Sequence, residues 1–261
     1  MPAQESREPL RIAAAGDIHC APAERARVEA AFDSLDPSVD LVLLAGDLTT
    51  HGEPDEAAVL ADICRGVEVP VFAVLGNHDW HVNRAAQVTR ALEEGGIRVV
   101  DRRSATCEVR GARVGIAGAK GFVGGFPDAA LPDFGEPSLR LVYAETTEEV
   151  EALDRALSEI AGCDIRIVLL HYSPTVSTLG TEPRGIWAFL GSDRLARPIL
   201  EHTPDLVLHG HAHAGTFEGF LGAVPVYNVA VHVTGRDFWI FELDARRHEP
   251  RVERIPEPPA A

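Results

Sequence analysis

Asp17 and His19, Asp47, Asn77 and His78, His171, and the pair His211 and His213 are the side chains whose types and places could do chemistry. Each set stands at or just after the end of a short apolar run. Imidazoles and carboxylates together suit zinc, manganese or iron; calcium prefers all-oxygen shells. Three or four ligands hold one ion. Asp17, His19, Asp47, Asn77, His171, His211 and His213 are too many for one and suit two ions that share a bridging carboxylate. Two divalent ions would bring more positive charge than Asp17 and Asp47 return. That surplus favours a phosphate oxyanion and lowers the pKa of a bound water. The residues by themselves point to a dinuclear hydrolase.

The elements that must position these groups are visible as apolar runs. Arg11 to Ala15 ends at Gly16-Asp17, Leu41 to Ala45 at Gly46-Asp47, and Val69 to Leu75 at Gly76-Asn77. Each has strand length and is apolar nearly throughout, as strands buried on both faces are. Helix-like stretches at Ala21 to Leu35 and Pro54 to Gly66 separate them, and a third follows at Asn83 to Glu94. This alternation predicts a parallel sheet with right-handed crossovers. Short strands are expected at Ile97 to Val100, Ala105 to Val109 and Arg113 to Gly118, then a long loop over Gly121 to Pro137 and a helix over Glu145 to Ile160. Asp164 to Leu170 reads as a buried strand ending at His171, and Asp205 to Leu208 as another leading into His209-Gly210-His211. A helix capped by Ser192 runs to Glu201 between them. Strands near Thr216 to Phe220, Val224 to Ala230 and Phe238 to Leu243 complete the chain. Residues 9–245 read as one α/β domain, with flexible termini at 1–8 and 246–261. Ligands of open α/β sheets bind outside the carboxyl ends of the strands, where this sequence puts its Asp, His and Asn residues.

Some residues have plainer readings. Asp after Gly suits a turn or a helix cap, so Asp17 and Asp47 gain weight only from their shared place after apolar strands. His211 and His213 point the same way in an extended segment; His209 would share that face and competes with them. His51 and His81 read as exposed loop histidines, and Cys20 as a buried thiol. His202, His232 and His248 carry no functional expectation. Lys120 and Phe122 open the glycine-rich loop, and Arg184 and Trp187 follow His171; these four are the expected substrate contacts, binding phosphate and stacking a base. The alternative for Trp187 is a cover over the core.

The formal net charge is −16. Such a field repels duplex nucleic acid but leaves a small phosphate ester admissible once cations are bound. Lys120 is the only lysine among 24 basic residues, a bias with no functional reading. Cys20, Cys64, Cys107 and Cys163 form no CxxC pair, so neither a disulfide framework nor a structural zinc site is expected. The polar stretch from Met1 to Leu10 lacks the apolar core of a signal peptide, and no run is long enough for a membrane span. A cytoplasmic protein without a membrane partner is expected, with room for a homo-oligomer.

In order, Gly16-Asp17-Ile18-His19, Gly46-Asp47, Gly76-Asn77-His78-Asp79, His171 and Gly210-His211-Ala212-His213 resemble the motifs of the calcineurin-like metallophosphoesterase superfamily. The resemblance spans residues 16–213. It implies a four-layer α/β/β/α sandwich of two mixed sheets flanked by helices. It implies that Asp17, His19 and His213 hold a first metal, that Asn77, His171 and His211 hold a second, and that Asp47 bridges them. His78 would stand beside the scissile phosphate, oriented by Asp79, and a metal-bridging hydroxide would attack phosphorus. Cofactors would be two divalent or trivalent ions of manganese, iron or zinc. Within the superfamily, chain length and motif spacing look closest to bacterial class III cyclic nucleotide phosphodiesterases. A nuclease and a non-catalytic metal-binding scaffold are the alternatives. The acidity, the lack of a basic stripe and the full ligand set weigh against them.

Overall fold

A computed structural model describes residues 8–244 and 247–252. The first strand, β1 (Leu10–Ala15), leads through a 3-10 turn into α1 (Arg25–Asp33). Then come β2 (Leu41–Ala45), α2 (Pro54–Cys64), β3 (Val71–Val74), α3 (Ala85–Glu94) and β4 (Ile97–Val99). The hairpin β5 (Arg103–Val109) and β6 (Ala112–Gly118) precedes the long helix α4 (Pro137–Glu159) and β7 (Ile165–Leu169). After it lie α5 (Trp187–Leu190), α6 (Ala196–His202), β8 (Leu206–His209), β9 (Glu218–Leu221) and β10 (Val224–Asn228). The described chain ends with α7 (Val231–Thr234), β11 (Trp239–Asp244) and β12 (Arg247–Val252).

The strands form two mixed sheets, ordered β12-β11-β1-β2-β3-β4 and β5-β6-β7-β8-β10-β9. In the first, β1 to β4 pair in parallel out to the β4 edge, and β11 and β12 add antiparallel on the other side; in the second, the parallel block β6-β7-β8-β10 is flanked by antiparallel β5 and β9. The period-two alternation of strands sorts the core into layers. Leu41 and Leu43 of β2 face the other sheet, and Val42 and Leu44 face α1–α3. Likewise Ile165, Ile167 and Leu169 of β7 face inward, while Val168 packs under α4 and α6. Strands apolar on both faces therefore make a helix–sheet–sheet–helix sandwich, the expected architecture. Each such side chain contributes about 1.5–3 kcal/mol when fully buried.

Three expectations need correction. The helix expected from Glu145 begins at Pro137, because Pro fits a first helical turn and Glu136 leads into it with extended backbone. Its first turns are largely exposed, so they carry no apolar period to read. The helix expected from Ser192 starts as a 3-10 turn, Asp193–Leu195, whose Arg194 N–H donates to the Ser192 hydroxyl, and only then becomes α6. The tail expected to be flexible from 246 onward contains β12, paired antiparallel with β11 as an edge strand. The expected flexible segments over 1–7 and 253–261 lie outside the described residues.

Candidate metal centre

The carboxyl ends of β1, β2 and β3 in one sheet and of β7 and β8 in the other meet at one edge of the sandwich. Backbone bonds tie the loops in parallel: Asp17 N–H donates to the Gly46 carbonyl (3.0 Å), and His19 N–H to the Asp47 carbonyl (3.0 Å). Asp17, His19, Asp47 and His211 all have left-handed backbones, with φ of 59°, 48°, 49° and 71°. For residues other than glycine this costs roughly 1–3 kcal/mol each and persists only where the surroundings enforce it. Here it turns each side chain back across the strand ends.

Two glycines let the loops approach. A Cβ on Gly76 would stand 2.1 Å from Asp47 Oδ1 and 2.2 Å from Asp47 N. One on Gly210 would stand 2.3 Å from Asp17 Oδ2. The glycines of the sequence motifs are thus where ligand-bearing loops press against bare backbone.

Among the described residues, three overlapping groups could hold a metal ion: Asp17, His19 and His213; His19, Asp47 and His78; and Asp47, His171 and His211. Within each, the candidate ligand atoms lie within 4.8 Å of one another. Asn77 joins the last, its Oδ1 2.9 Å from His171 Nε2. All seven ligand candidates are therefore brought together.

Carbonyl partners fix the histidine tautomers, because a carbonyl oxygen only accepts. His171 Nδ1 donates to the Ala45 carbonyl (2.9 Å), which leaves Nε2 as the nitrogen turned toward Asn77 Oδ1 and Asp47 Oδ1, the latter at 3.4 Å. A ring nitrogen, an amide oxygen and a carboxylate oxygen converging in this way form a donor set that suits a cation between them. His211 Nε2 donates to the Phe189 carbonyl (3.0 Å), which leaves Nδ1 as its candidate ligand atom. His78 Nδ1 donates to the Thr50 carbonyl (2.8 Å) and leaves Nε2 toward the site. The donor set, the tautomers and the glycine-lined approach all fit metal ions.

The electrostatics agree. Burial pushes the Asp17 carboxyl up, but the hydrogen bond from His213 (2.8 Å), the nearby imidazoles and the His211 N–H outweigh it and hold the group at about 2. That same bond raises His213. Burial drives His211 down to about 4 and lowers His19, keeping lone pairs available.

Asp79 has a different place from the one expected. Its buried carboxylate accepts from the N–H groups of Leu48 (3.1 Å), Thr49 (2.8 Å) and Gly76 (2.8 Å) and from the Thr49 hydroxyl (2.6 Å). It ties the loop after β2 to the loop after β3, and the Thr50 carbonyl orients His78 instead. Burial, with the Asp47 charge adding to it, pushes Asp79 up to about 6.

The four expected substrate contacts have defined surroundings. Lys120 is 5% exposed; its ammonium donates to the Gly121 carbonyl (2.8 Å) and lies 4.0 Å from Glu149. It sits among Phe122, Tyr172 and Trp80, with the half-buried Phe122 ring centre 4.4 Å away. Trp187 covers a small core with Phe126, Leu179, Leu190 and Ala212 and donates Nε1–H to the Glu182 carbonyl (3.0 Å). Arg184 lies exposed over the Trp187 ring. Lys120 and Trp187 thus have structural partners, which accounts for their residue types. His209 is settled too: Nδ1 lies 2.8 Å from the Gly210 carbonyl and Nε2 2.8 Å from the Thr178 hydroxyl, so both nitrogens are committed inside the core. His51 pairs with Glu56 at 3.0 Å, the exposed His81 lies 5.9 Å from His78 ring to ring, and Cys20 is buried with its thiol pushed up to about 11.

Two neighbours were not expected. Tyr172 packs on His211, ring centres 4.4 Å apart, and His232 stacks on His213. Tyr172 follows His171 in the sequence, and His232 follows the run Val224 to Ala230 much as the ligands follow theirs.

Fold and centre together define a metal-dependent phosphoesterase class. The chain belongs to the calcineurin-like phosphoesterase family, whose model matches residues 10–215. No curated protein matches the sequence. Among solved structures, the fold is similar to phosphopantetheinyl hydrolase from Mycobacterium tuberculosis, at 18% identity and a TM-score of 0.62 over 87% of this chain and 90% of that one. It is similar to GAP50, the anchor in the inner membrane complex of Plasmodium, at 14% identity and a TM-score of 0.60 over 96% and 90%. It is also similar to a putative 5'-nucleotidase from Staphylococcus aureus, at 15% identity and a TM-score of 0.52 over 89% of this chain and 50% of that one. Among the described residues no helix is long and apolar enough to cross a membrane.

Proposed function

We propose that this chain is a dinuclear metal-dependent hydrolase of small phosphodiesters or phosphomonoesters. One observation carries the reading: the two oxygens of Asp47 face different histidines. Oδ1 lies 3.4 Å from His171 Nε2, while Oδ2 lies 4.0 Å from His19 Nε2 and 3.9 Å from His78 Nε2. A carboxylate so placed is suited to bridge two ions. Asp17, His19 and His213 would hold one, and Asn77, His171 and His211 the other. Manganese, iron and zinc all suit these ligands. Bound ions would supply Lewis acidity toward the phosphoryl oxygens and a lowered pKa for water.

The chain's own residues supply the rest. Asp47 accepts the His78 N–H at 2.8 Å, which fixes the histidine beside the centre. Because Nδ1–H stays on the Thr50 carbonyl, Nε2 is the atom that moves a proton. As imidazolium, His78 donates from Nε2 to the departing alkoxide and is left neutral with Nδ1–H intact. The buried Asp79 holds the two loops in register, and so holds His78 relative to Asp47.

The test is hydrolysis of bis(p-nitrophenyl) phosphate and of phosphomonoesters with manganese present. The wild-type chain is expected to bind two ions, lose activity on chelation and regain it with manganese. Asp47→Ala is expected to lose metal and turnover together. A chain loaded with two ions but inert on every ester would overturn the reading.

A further inference from the structure

His232 lies outside the seven ligand candidates, yet its ring lies flat against one of them. The His213 and His232 ring centres are 4.1 Å apart with only 14° between planes, and His19 meets His232 edge-on at 6.0 Å. The backbone fixes this contact from both sides. Gly16 N–H donates to the Val229 carbonyl (2.9 Å) and Val231 N–H to the Gly16 carbonyl (3.0 Å). The residues before His232 are thus tied to the strand end that carries Asp17. N–H groups of Val233 and Thr234 close the turn on the Ala230 carbonyl (2.9 and 3.0 Å). The His232 imidazole makes ring contacts and no hydrogen bond among the described residues.

We propose that His232 is a positioning residue of the first metal site, acting by stacking on His213. The proposal rests on the assignment of Asp17, His19 and His213 to that site. His213 is half-exposed, and its ring has one hydrogen bond, from Nε2 to Asp17 Oδ1. Should an ion take Nε2, that bond is given up, and no other hydrogen bond among the described residues sets the tilt of the ring. A ring donating electrons to a cation becomes electron-poor, and the electron-rich face of a neutral aromatic neighbour stabilises it. His232 therefore does by stacking what the Ala45 carbonyl does by hydrogen bonding for His171. Outer partners that act by hydrogen bonding are worth about 10–100-fold in metal affinity, and a stacking partner is set at the lower end of that range.

Calorimetric titration of the chelated full chain with manganese tests this on wild type, His232→Ala and His232→Phe. Phe keeps the ring and removes the nitrogens. Alanine is expected to weaken one of two equivalents about tenfold, leaving the other equivalent and the apo melting temperature unchanged. Phenylalanine is expected to restore most of that loss. The proposal falls if alanine binds as wild type does, if both equivalents weaken together, or if phenylalanine is no better than alanine. A wild type that binds two ions and hydrolyses nothing would end the functional reading above and leave this one standing.

Discussion

Adding one methyl group at Gly76 tests whether backbone approach, and not ligand identity alone, builds the centre. The new Cβ of Gly76→Ala would lie 2.1 Å from Asp47 Oδ1 and 2.2 Å from Asp47 N, more than 1 Å short of ordinary contact. Rotating the Asp47 side chain relieves only the first clash, because the second is with backbone. Asp47 already has a left-handed φ of 49°, so its main chain has little room to yield. The loops after β2 and β3 must part, and the oxygens of Asp47 move with them. Misplacing a catalytic group by about 1 Å costs about 10²-fold, and overpacking costs about 1–3 kcal/mol of stability. The expected result is a loss of about 10²-fold or more in kcat/KM toward bis(p-nitrophenyl) phosphate, with less metal retained per chain and a lower urea midpoint. Gly162→Ala is the control, since its Cβ would meet nothing within 4 Å. A Gly76→Ala protein holding two ions with near-normal activity would refute the close-approach argument.

His78→Ala is expected to keep both ions, measured as metal per chain, and to lose roughly 10²–10⁴-fold in turnover, the usual worth of general acid–base catalysis; full activity would remove its role. Asp101→Asn should change how stability depends on pH. Burial, with Glu149 and Asp79 adding to it, pushes the Asp101 carboxyl up to about 7, against the Leu75 N–H and Lys120. A raised carboxyl leaves stability intact below its unfolded pKa of about 4 and erodes it as pH climbs to about 7. At 1.36 kcal/mol per unit the ceiling is about 4 kcal/mol. Asn keeps an acceptor for the Leu75 N–H and carries no charge, so urea unfolding should show the variant gaining on wild type across that window; parallel curves would sink the assignment.

Much of the centre was legible because strand ends announce it. Asp17, Asp47, Asn77 and His171 each stand at the first polar position beyond an apolar run, and packing needs alone would not place such residues there. His232 was harder to find, because Asn228 interrupts the run that precedes it. What stayed hidden were partners without side-chain identity. The carbonyls of Ala45, Thr50 and Phe189, which set three imidazole tautomers, belong to any residue type. Lys120, Trp187 and Asp79 were open to two readings for a related reason: a polar or aromatic residue near a site is as useful for holding loops as for touching substrate. Elements without an apolar period, the exposed start of α4 and the edge strand β12, left no pattern to read.

The candidate ligands come from both halves of the sandwich. Asp17, His19, Asp47 and Asn77 follow strands of one sheet, and His171, His211 and His213 follow strands of the other. Direct bonds already cross between them: His171 Nδ1–H to the Ala45 carbonyl, His213 Nε2 with Asp17 Oδ1, and the His211 N–H to Asp17. The centre is therefore a seam between two sheets whose inward faces are otherwise joined by apolar packing. An ion held across that seam binds the assembled sandwich and not the separated sheets, so its binding energy adds to the docking of one sheet on the other. This also gives the left-handed backbone a physical reason. Residues at the ends of facing strands can meet only if their chains turn sharply inward, and Asp17, Asp47 and His211 make that turn where the hydrogen bonds across the seam can offset its cost.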